Sequence, residues 1–176
     1  MNVSRHRKPV DNSPSSFITK SFSKYPAPKN LPLLDLGCGY GRHSIYFNDM
    51  GYKVFAADAH KEVFDSGWNK SVSEVSPIIL DGIKPLPFRA ETFGAIVIVH
   101  FYCPGLFSNI KRLVAPGGIV YYESIGGQGM NWTELGKCQQ VKNELVGVFE
   151  LLIYNEKPTG PRKQYATLKM VARKKC

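Results

Sequence analysis

The chain has 176 residues, of which 43% are hydrophobic and 21% charged, and its formal net charge is +9. This length suits one domain and leaves no room for a second full core, and the composition is typical of a soluble globular protein. Four scattered cysteines lack metal-ligand spacing, which predicts reduced thiols and no metal site. No apolar stretch approaches the ~20 residues that cross a bilayer. We therefore predict a cytoplasmic protein without membrane contact.

Positive charge is concentrated at the two ends of the chain. Residues 1–30 carry +5 and residues 151–176 carry +6, whereas residues 31–150 carry −2. Such ends can steer an anionic partner or simply aid solubility, and both interpretations stay open. Residues 1–30 are rich in Ser and Pro and form a predicted basic tail and lead-in, in which a short organelle-targeting segment also stays open. Residues 31–176 form the predicted domain.

The predicted elements begin with one short amphipathic helix in the lead-in, spanning Phe17, Ile18, Phe22 and Tyr25. From residue 31, apolar runs alternate with turn signals. The predicted strands are 33–36, 53–57, 77–80, 95–99, 119–123, 148–154 and 165–171, and the predicted helices are 42–50, 61–70 and 106–114. In helix 42–50 we expect His43, Ile45, Tyr46 and Met50 near one face.

The order of these elements indicates the fold class. Strands alternating with helices are typical of an α/β protein with a parallel sheet. The last two strands are joined by a loop too short for a crossover helix, so they should pair antiparallel. We predict a Rossmann-like, doubly wound and mostly parallel seven-stranded sheet with an antiparallel C-terminal strand.

The segment between the first predicted strand and helix reads Asp35-Leu36-Gly37-Cys38-Gly39-Tyr40-Gly41. Such a glycine loop lets backbone approach a ligand closely and presents amide groups at a helix N-terminus. The dinucleotide fingerprint G-x-G-x-x-G would place its third glycine at position 42, which is Arg42. The spacing therefore disfavours a nicotinamide-dependent oxidoreductase.

This loop resembles the first motif of class I S-adenosylmethionine-dependent methyltransferases. Further features follow in the family's order: Asp58 after the second strand, Asp81-Gly82 after the third, Thr92-Phe93-Gly94 before the fourth, and Leu113-Val114-Ala115-Pro116-Gly117-Gly118 before the fifth. Many relatives have Asp where this chain has Gly94. The likeness covers residues 31–123 and extends through the terminal hairpin to residue 173. In motif order the chain is most similar to small tellurite-resistance-like, or type 11-like, members.

The resemblance implies S-adenosyl-L-methionine as cofactor. The implied cofactor-binding residues are Asp35, Gly37, Cys38, Gly39, Gly41, Asp58, Ala59, Asp81, Gly82, His100 and Phe101. It places Asp58 at the ribose hydroxyls, Asp35 near the methionine amino group and Asp81 at the adenine amino group. A role in capping turns stays open for Asp58 and Asp81.

Catalytic candidates follow the fourth and fifth strands, since ligands of open α/β sheets bind beyond the carboxyl ends of the strands. They are His100 as a base, Tyr102 as an aromatic wall and Glu123 as an orienting group. A purely structural role for His100, in which it only shapes the loop, also stays open. Further pocket candidates are Tyr40, His43, Asn131 and Trp132.

These observations predict a methyltransferase that acts on a small-molecule acceptor by in-line displacement, with an anionic acceptor as one candidate. The first alternative is an RNA or protein methyltransferase that uses the basic termini. Nucleic acid is not favoured as the partner, because no Asn-Pro-Pro-Tyr-like motif follows the fourth strand. The second alternative is a non-catalytic module that binds S-adenosylmethionine.

Overall fold

The computed structural model describes residues 13–65, 74–82, 84–103, 105–125, 138–159 and 165–176. Its elements are α1 Ser16–Lys24, β1 Leu33–Leu36, α2 Arg42–Asp49, β2 Val54–Asp58, α3 Glu62–Asp65, β3 Val75–Ile79, β4 Phe93–Val99, α4 Leu106–Leu113, β5 Val114–Ile125, α5 Cys138–Leu145, β6 Phe149–Thr159 and β7 Tyr165–Lys174. The strands form one sheet in the order β3-β2-β1-β4-β5-β7-β6. The first five pair in parallel, and β7 pairs antiparallel with both β5 and β6. The predicted fold class is therefore confirmed.

The sheet is covered on both faces because side chains alternate along each strand. On one face, Leu34 and Ile96 pack in a core cluster that includes residues of α4 and α5. On the other face, Leu33 and Val97 pack with residues of α1 and α2. The central strand β4 is buried along its whole length, which agrees with its unbroken apolar sequence.

Helix α1 confirms the amphipathic helix predicted in the lead-in, and it packs directly on the sheet. Ile18 and Phe22 are buried in the core cluster of that face. Beyond the end of the helix, the Tyr121 hydroxyl donates to the Tyr25 carbonyl at 2.5 Å. Helix α1 is thus part of the core, because its apolar stripe is buried against this face of the sheet.

Several elements depart from the sequence prediction. The buried face of α2 consists of His43, Ser44 and Phe47, whereas Met50 lies beyond the helix end and is 44% exposed. Helix α5 was not predicted, since Val141 is one of few apolar side chains among mostly polar neighbours. The predicted helix 61–70 is observed as α3, and its remainder lies outside the described residues. No helix in the described part of the chain is long and apolar enough to span a membrane.

Gly94, where many relatives carry Asp, lies in a crowded position. A Cβ there would come within 3.0 Å of both the Leu31 Cβ and the Pro28 carbonyl oxygen. The segment before β1 therefore occupies the space that a side chain at position 94 would need. An Asp side chain at position 94 would therefore require this segment to shift.

Lys174, near the end of the chain, caps the carboxyl end of α4. Its ammonium donates to the carbonyls of Lys111 at 3.0 Å and Val114 at 2.8 Å, and it pairs with Glu91 at 3.2 Å. We expect Lys174→Met to lower the free energy of unfolding by about 1–3 kcal/mol, because buried carbonyls lose a charged donor. Chemical denaturation measures this change.

Arg173 offers a matched control for that measurement. Its side chain is 43% exposed, and its guanidinium lies 3.9 Å from the Glu150 carboxylate, so Arg173→Met should change the free energy of unfolding by less than about 0.5 kcal/mol. Equal losses in the two variants would contradict a capping role for Lys174.

Candidate active site at the carboxyl ends of the strands

The glycine loop after β1 is held by backbone hydrogen bonds to the neighbouring strand. The amides of Gly37 and Cys38 both donate to the Ala57 carbonyl, at 2.8 and 3.0 Å. Gly37 has a φ of +72°, which favours glycine, and a Cβ there would lie 2.9 Å from the Phe101 Cβ. In contrast, no heavy atom lies within 4 Å of a Cβ built on Gly39. The loop is thus packed against Phe101 at Gly37 and open at Gly39, as a ligand cradle requires.

Asp58, at the end of β2, is linked to this loop. One carboxylate oxygen accepts the Gly39 amide at 2.9 Å, and the other accepts the His60 amide at 3.0 Å. The side chain is 13% exposed, and the following residue, Ala59, is exposed. The sequence placed Asp58 and Gly39 in one site, and the structure brings them into direct contact.

Asp35 lies beneath the loop rather than at its surface. Its carboxylate is buried and accepts a hydrogen bond from the Ser44 hydroxyl at 2.5 Å. Burial raises the pKa of Asp35 from 3.8 to about 6, although the bonds from Ser44 oppose the shift. Burial also raises the pKa of the neighbouring Cys38 thiol, which therefore stays neutral.

Phe101, after β4, connects the loop after β1 with the loop after β3. Its ring contacts Gly37 on one side, and a Cβ built on Gly82 would lie 2.7 Å from its Cζ. The Cys103 thiol donates to the Gly82 carbonyl at 3.1 Å, while Asp81 is exposed beside it. The predicted cofactor residues Gly37, Gly82 and Phe101 therefore form one contiguous surface.

His100 and Glu123 lie next to each other where β4 and β5 end. The His100 amide donates to the Glu123 carbonyl at 2.8 Å. His100 has a φ of +58°, a strained conformation for a residue with a Cβ, and such strain is concentrated at functional sites. His100 is exposed, but desolvation of its ring by neighbouring residues lowers its pKa, with Arg42 and Lys169 adding to the effect and Glu123 opposing it.

The Glu123 carboxylate is buried, and each of its two oxygens has a hydrogen-bond donor. It accepts hydrogen bonds from the Ser15 hydroxyl and from the Lys169 ammonium, the latter at 2.9 Å. Burial opposes its ionisation, but these hydrogen bonds and the charges of Lys169 and His100 outweigh burial and lower the pKa of Glu123. Glu123 is therefore an ionised carboxylate beside His100.

Tyr102 lies on the opposite face of the sheet. It packs against the core cluster that includes α4, with its ring centroid 6.4 Å from that of Phe107. Burial raises the pKa of its hydroxyl, and the Glu144 charge adds to this. The structure thus brings His100 and Glu123 together and separates Tyr102 from them.

Sequence reasoning missed Ser15, Ser44 and Lys169 and gave His43 a minor role. Lys169 lies directly opposite Glu123 in the register of β5 and β7, which cannot be read before the strands are paired. Ser15 had a readable signal, since it directly precedes an amphipathic helix as an N-cap residue does. Asn131 and Trp132 lie outside the described residues.

The residues of this edge fit S-adenosylmethionine. The space above Gly39 is open, the Asp58 carboxylate contacts the loop, the Phe101 ring packs against Gly37, and Asp81 is exposed beside Gly82. Among the described residues, no group of three or more His, Cys, Asp or Glu could hold a metal ion.

Comparisons with known proteins agree with this architecture. Malonyl-[acyl-carrier protein] O-methyltransferase of Salmonella typhimurium is 29% identical over 98 residues, which are 53% of this chain, and the chain spans 38% of that protein's length. A SAM-dependent methyltransferase from Aquifex aeolicus superposes with a TM-score of 0.65 at 18% identity, covering 88% of each chain. One from Methanosarcina mazei gives 0.67 at 16% identity, covering 93% of this chain and 99% of the other. At such identities the structural likenesses show the fold alone.

The family itself is shown by the match to a sequence model. The model described as "Methyltransferase domain" matches residues 34–122, half of the chain. This range contains the glycine loop, Asp58, Asp81 and His100. The chain therefore belongs to the methyltransferase domain family, within the type 11 group of class I S-adenosylmethionine-dependent methyltransferases, and S-adenosylmethionine is its cofactor.

Proposed function

We propose that this protein transfers a methyl group to a small-molecule acceptor bound beside His100 and Glu123. The observation that carries the proposal is that the glycine loop, His100 and Glu123 lie at the same edge of the sheet, at the carboxyl ends of β1, β4 and β5. In open α/β sheets this edge is where ligands bind.

Within this proposal, the chain's own residues bind the cofactor, orient the acceptor and accept a proton from it. The cofactor, when bound, supplies a methyl group activated on a sulfonium. Asp58 serves the ribose hydroxyls and Asp81 the adenine amino group, and Asp35, buried beneath the loop, acts on the methionine amino group through water. His100 is neutral near pH 7 because its pKa is lowered, so its imidazole can accept a proton from an acceptor hydroxyl or amine.

We further propose that the acceptor is an anion. Arg42 and Lys169 both lie close enough to lower the pKa of His100, whereas Glu123 is the opposing charge. The Salmonella relative is named as an O-methyltransferase of a malonyl-carrying protein, which supports an oxygen acceptor. Cationic side chains around the site also attract such acceptors by electrostatic steering.

Two organisational proposals accompany the function. The domain includes α1, because Ile18 and Phe22 are buried in its core, and the basic tail ends before that helix. We also propose a cytoplasmic location, which the free thiols of Cys38, Cys103 and Cys176 support.

Parallel calorimetric titrations test the cofactor and then the acceptor. We expect S-adenosylmethionine and S-adenosylhomocysteine to bind and NADH not to bind. Anionic small molecules are then screened for formation of S-adenosylhomocysteine, with RNA as a second arm. Product formed with RNA alone, at a rate that falls steeply with salt, would overturn the small-molecule proposal. Cofactor binding without turnover in either arm would favour a non-catalytic module.

The Asp58 assignment predicts a large loss of cofactor affinity. We expect Asp58→Ala to weaken S-adenosylhomocysteine binding more than tenfold (about 1.4 kcal/mol), since it removes charge-assisted bonds to the ribose and the acceptor of the Gly39 amide. Asp58→Asn keeps one oxygen for Gly39 and should lose less. Asp49→Ala, an exposed carboxylate on α2, is the control. Unchanged affinity in Asp58→Ala would remove Asp58 from the cofactor site.

A further inference from the structure

Ser15 connects three parts of the molecule. Its amide donates to the Nε2 of His43 at 3.0 Å, and its hydroxyl donates to the Glu123 carboxylate. The hydroxyl oxygen also accepts the Phe17 amide at 3.2 Å, which caps α1. The start of α1 is thus bonded to α2, which follows the glycine loop, and to the end of β5.

The direction of each bond follows from the chemistry of the groups. A backbone amide can only donate, so Nε2 of His43 carries the lone pair and the ring proton is on Nδ1. Burial lowers the pKa of His43 to about 3, and Arg42 adds to the shift, so this imidazole is neutral. The Ser15 hydroxyl has one proton, and that proton is directed to Glu123 because the Phe17 amide occupies a lone pair.

The first turn of α1 contacts both members of the Glu123–Lys169 ion pair. Ser15 binds one carboxylate oxygen of Glu123, and Lys169 binds the other. The Lys169 ammonium in turn lies 5.3 Å from the centroid of the Phe17 ring. Both oxygens are therefore held, and the orientation of the carboxylate beside His100 depends on the N-terminal helix.

We propose that Ser15 is a positioning residue of the acceptor site, which holds the Glu123 carboxylate ionised and in one orientation beside His100. This role rests on the function proposed above for His100 and Glu123. Ser15 acts through Glu123. Through this contact, the start of α1 becomes part of the proposed acceptor site. The charged and titratable groups facing His100 from the packed elements are Arg42 and His43 of α2, Glu123 of β5 and Lys169 of β7.

The competing explanation is that Ser15 only caps α1, and Ser15→Gly separates the two roles. Glycine is tolerated at an N-cap at a cost of a few tenths of a kcal/mol, but it cannot donate to Glu123. Ser15→Thr keeps both the cap and the donor and is the matched control. Ser15→Ala removes both, and it replaces the glycine variant if that variant does not fold.

The experiment measures three quantities on the full chain: the Glu123 carboxyl pKa by NMR titration, the affinity for S-adenosylhomocysteine, and kcat/KM for the acceptor. In Ser15→Gly we expect the pKa of Glu123 to rise, the affinity to stay within twofold, and kcat/KM to fall more than tenfold. Ser15→Thr should match the wild type.

An unchanged pKa of Glu123 in both Ser15→Gly and Ser15→Ala would overturn the proposal and leave Ser15 as a helix cap. The pKa readout needs no turnover, so it tests Ser15 even if no acceptor is methylated. A shifted pKa in a protein that binds S-adenosylhomocysteine but has no activity would refute the proposed reaction, while the hydrogen bond from Ser15 to Glu123 would stand.

Discussion

Replacing Asp35 with Asn is expected to stabilise the folded protein by about 1–3 kcal/mol at pH 7. The carboxyl is buried, and its pKa rises from 3.8 to about 6 on folding. That difference corresponds to about 3 kcal/mol of cost when the group is ionised in the folded state. Asn removes the charge and keeps an oxygen that can accept the Ser44 hydroxyl. Chemical denaturation at pH 7 measures the gain.

The same substitution changes the pH dependence of stability. Between about pH 4 and pH 6 the folded wild type holds more protons than the unfolded chain at Asp35, so its stability falls as pH rises. Asp35→Asn should remove this contribution to the slope. Asp49→Asn, on an exposed carboxylate of α2, should change stability by less than about 0.5 kcal/mol. A less stable Asp35→Asn protein would show that the ionised carboxylate is favourable where it lies.

Whereas stability is expected to rise in Asp35→Asn, the affinity for the cofactor is expected to fall. If the carboxylate serves the methionine amino group, binding of S-adenosylhomocysteine should weaken by tenfold or more, because a charge-assisted interaction is lost. A gain in stability together with a loss of binding would identify Asp35 as a residue kept for function at a cost in stability.

Replacing Gly37 with Ala should destabilise the protein by about 2–5 kcal/mol. The left-handed backbone, with φ of +72°, costs a residue with a Cβ about 1–2 kcal/mol. The new methyl would also lie 2.9 Å from the Phe101 Cβ, and such overpacking costs about 1–3 kcal/mol. The midpoint of denaturant unfolding and the affinity for S-adenosylhomocysteine should both fall.

Gly51 separates the backbone effect from the steric effect. It has φ of +81° with no heavy atom within 4 Å of its Cβ position, so Gly51→Ala should show the backbone cost alone. In a Phe101→Gly background, Gly37→Ala should cost less than in the wild type, because the Cβ and Cγ of Phe101 that crowd the new methyl are gone. Equal losses for Gly37→Ala and Gly51→Ala would refute the close packing between the loop and Phe101.

Much of the fold could be predicted because local and tertiary preferences agree along the central strands. β4 is apolar throughout and is buried throughout. β1 was predicted at its observed bounds, because the glycines that follow it are a clear signal for the end of a strand. Helix α5 was missed because its eight residues carry a weak apolar pattern, and a short helix depends on tertiary packing for its stability.

The residues proposed for the cofactor form a pattern that the sequence shows, whereas the network around Glu123 does not. The loop from Asp35 to Gly41, with Asp58 and Asp81, is a pattern of glycines and acidic residues at strand ends, which can be recognised from the sequence alone. Ser15, Glu123 and Lys169 come from three distant segments and meet through strand register and helix docking. Tyr102 was grouped with His100 from its position in sequence, yet its ring packs on the other face.

The order of amino acids alone thus indicates the fold class, the family and the strand ends that carry the residues proposed for the cofactor, because hydrophobic alternation and glycine spacing act over a few neighbouring residues. The protonation of Asp35, the ion pair of Glu123 with Lys169, and the entry of Ser15 into the site were decided by the tertiary structure. Desolvation and hydrogen bonding depend on which distant atoms surround a group. Those surroundings exist only once β7 lies beside β5 and α1 has docked on the sheet.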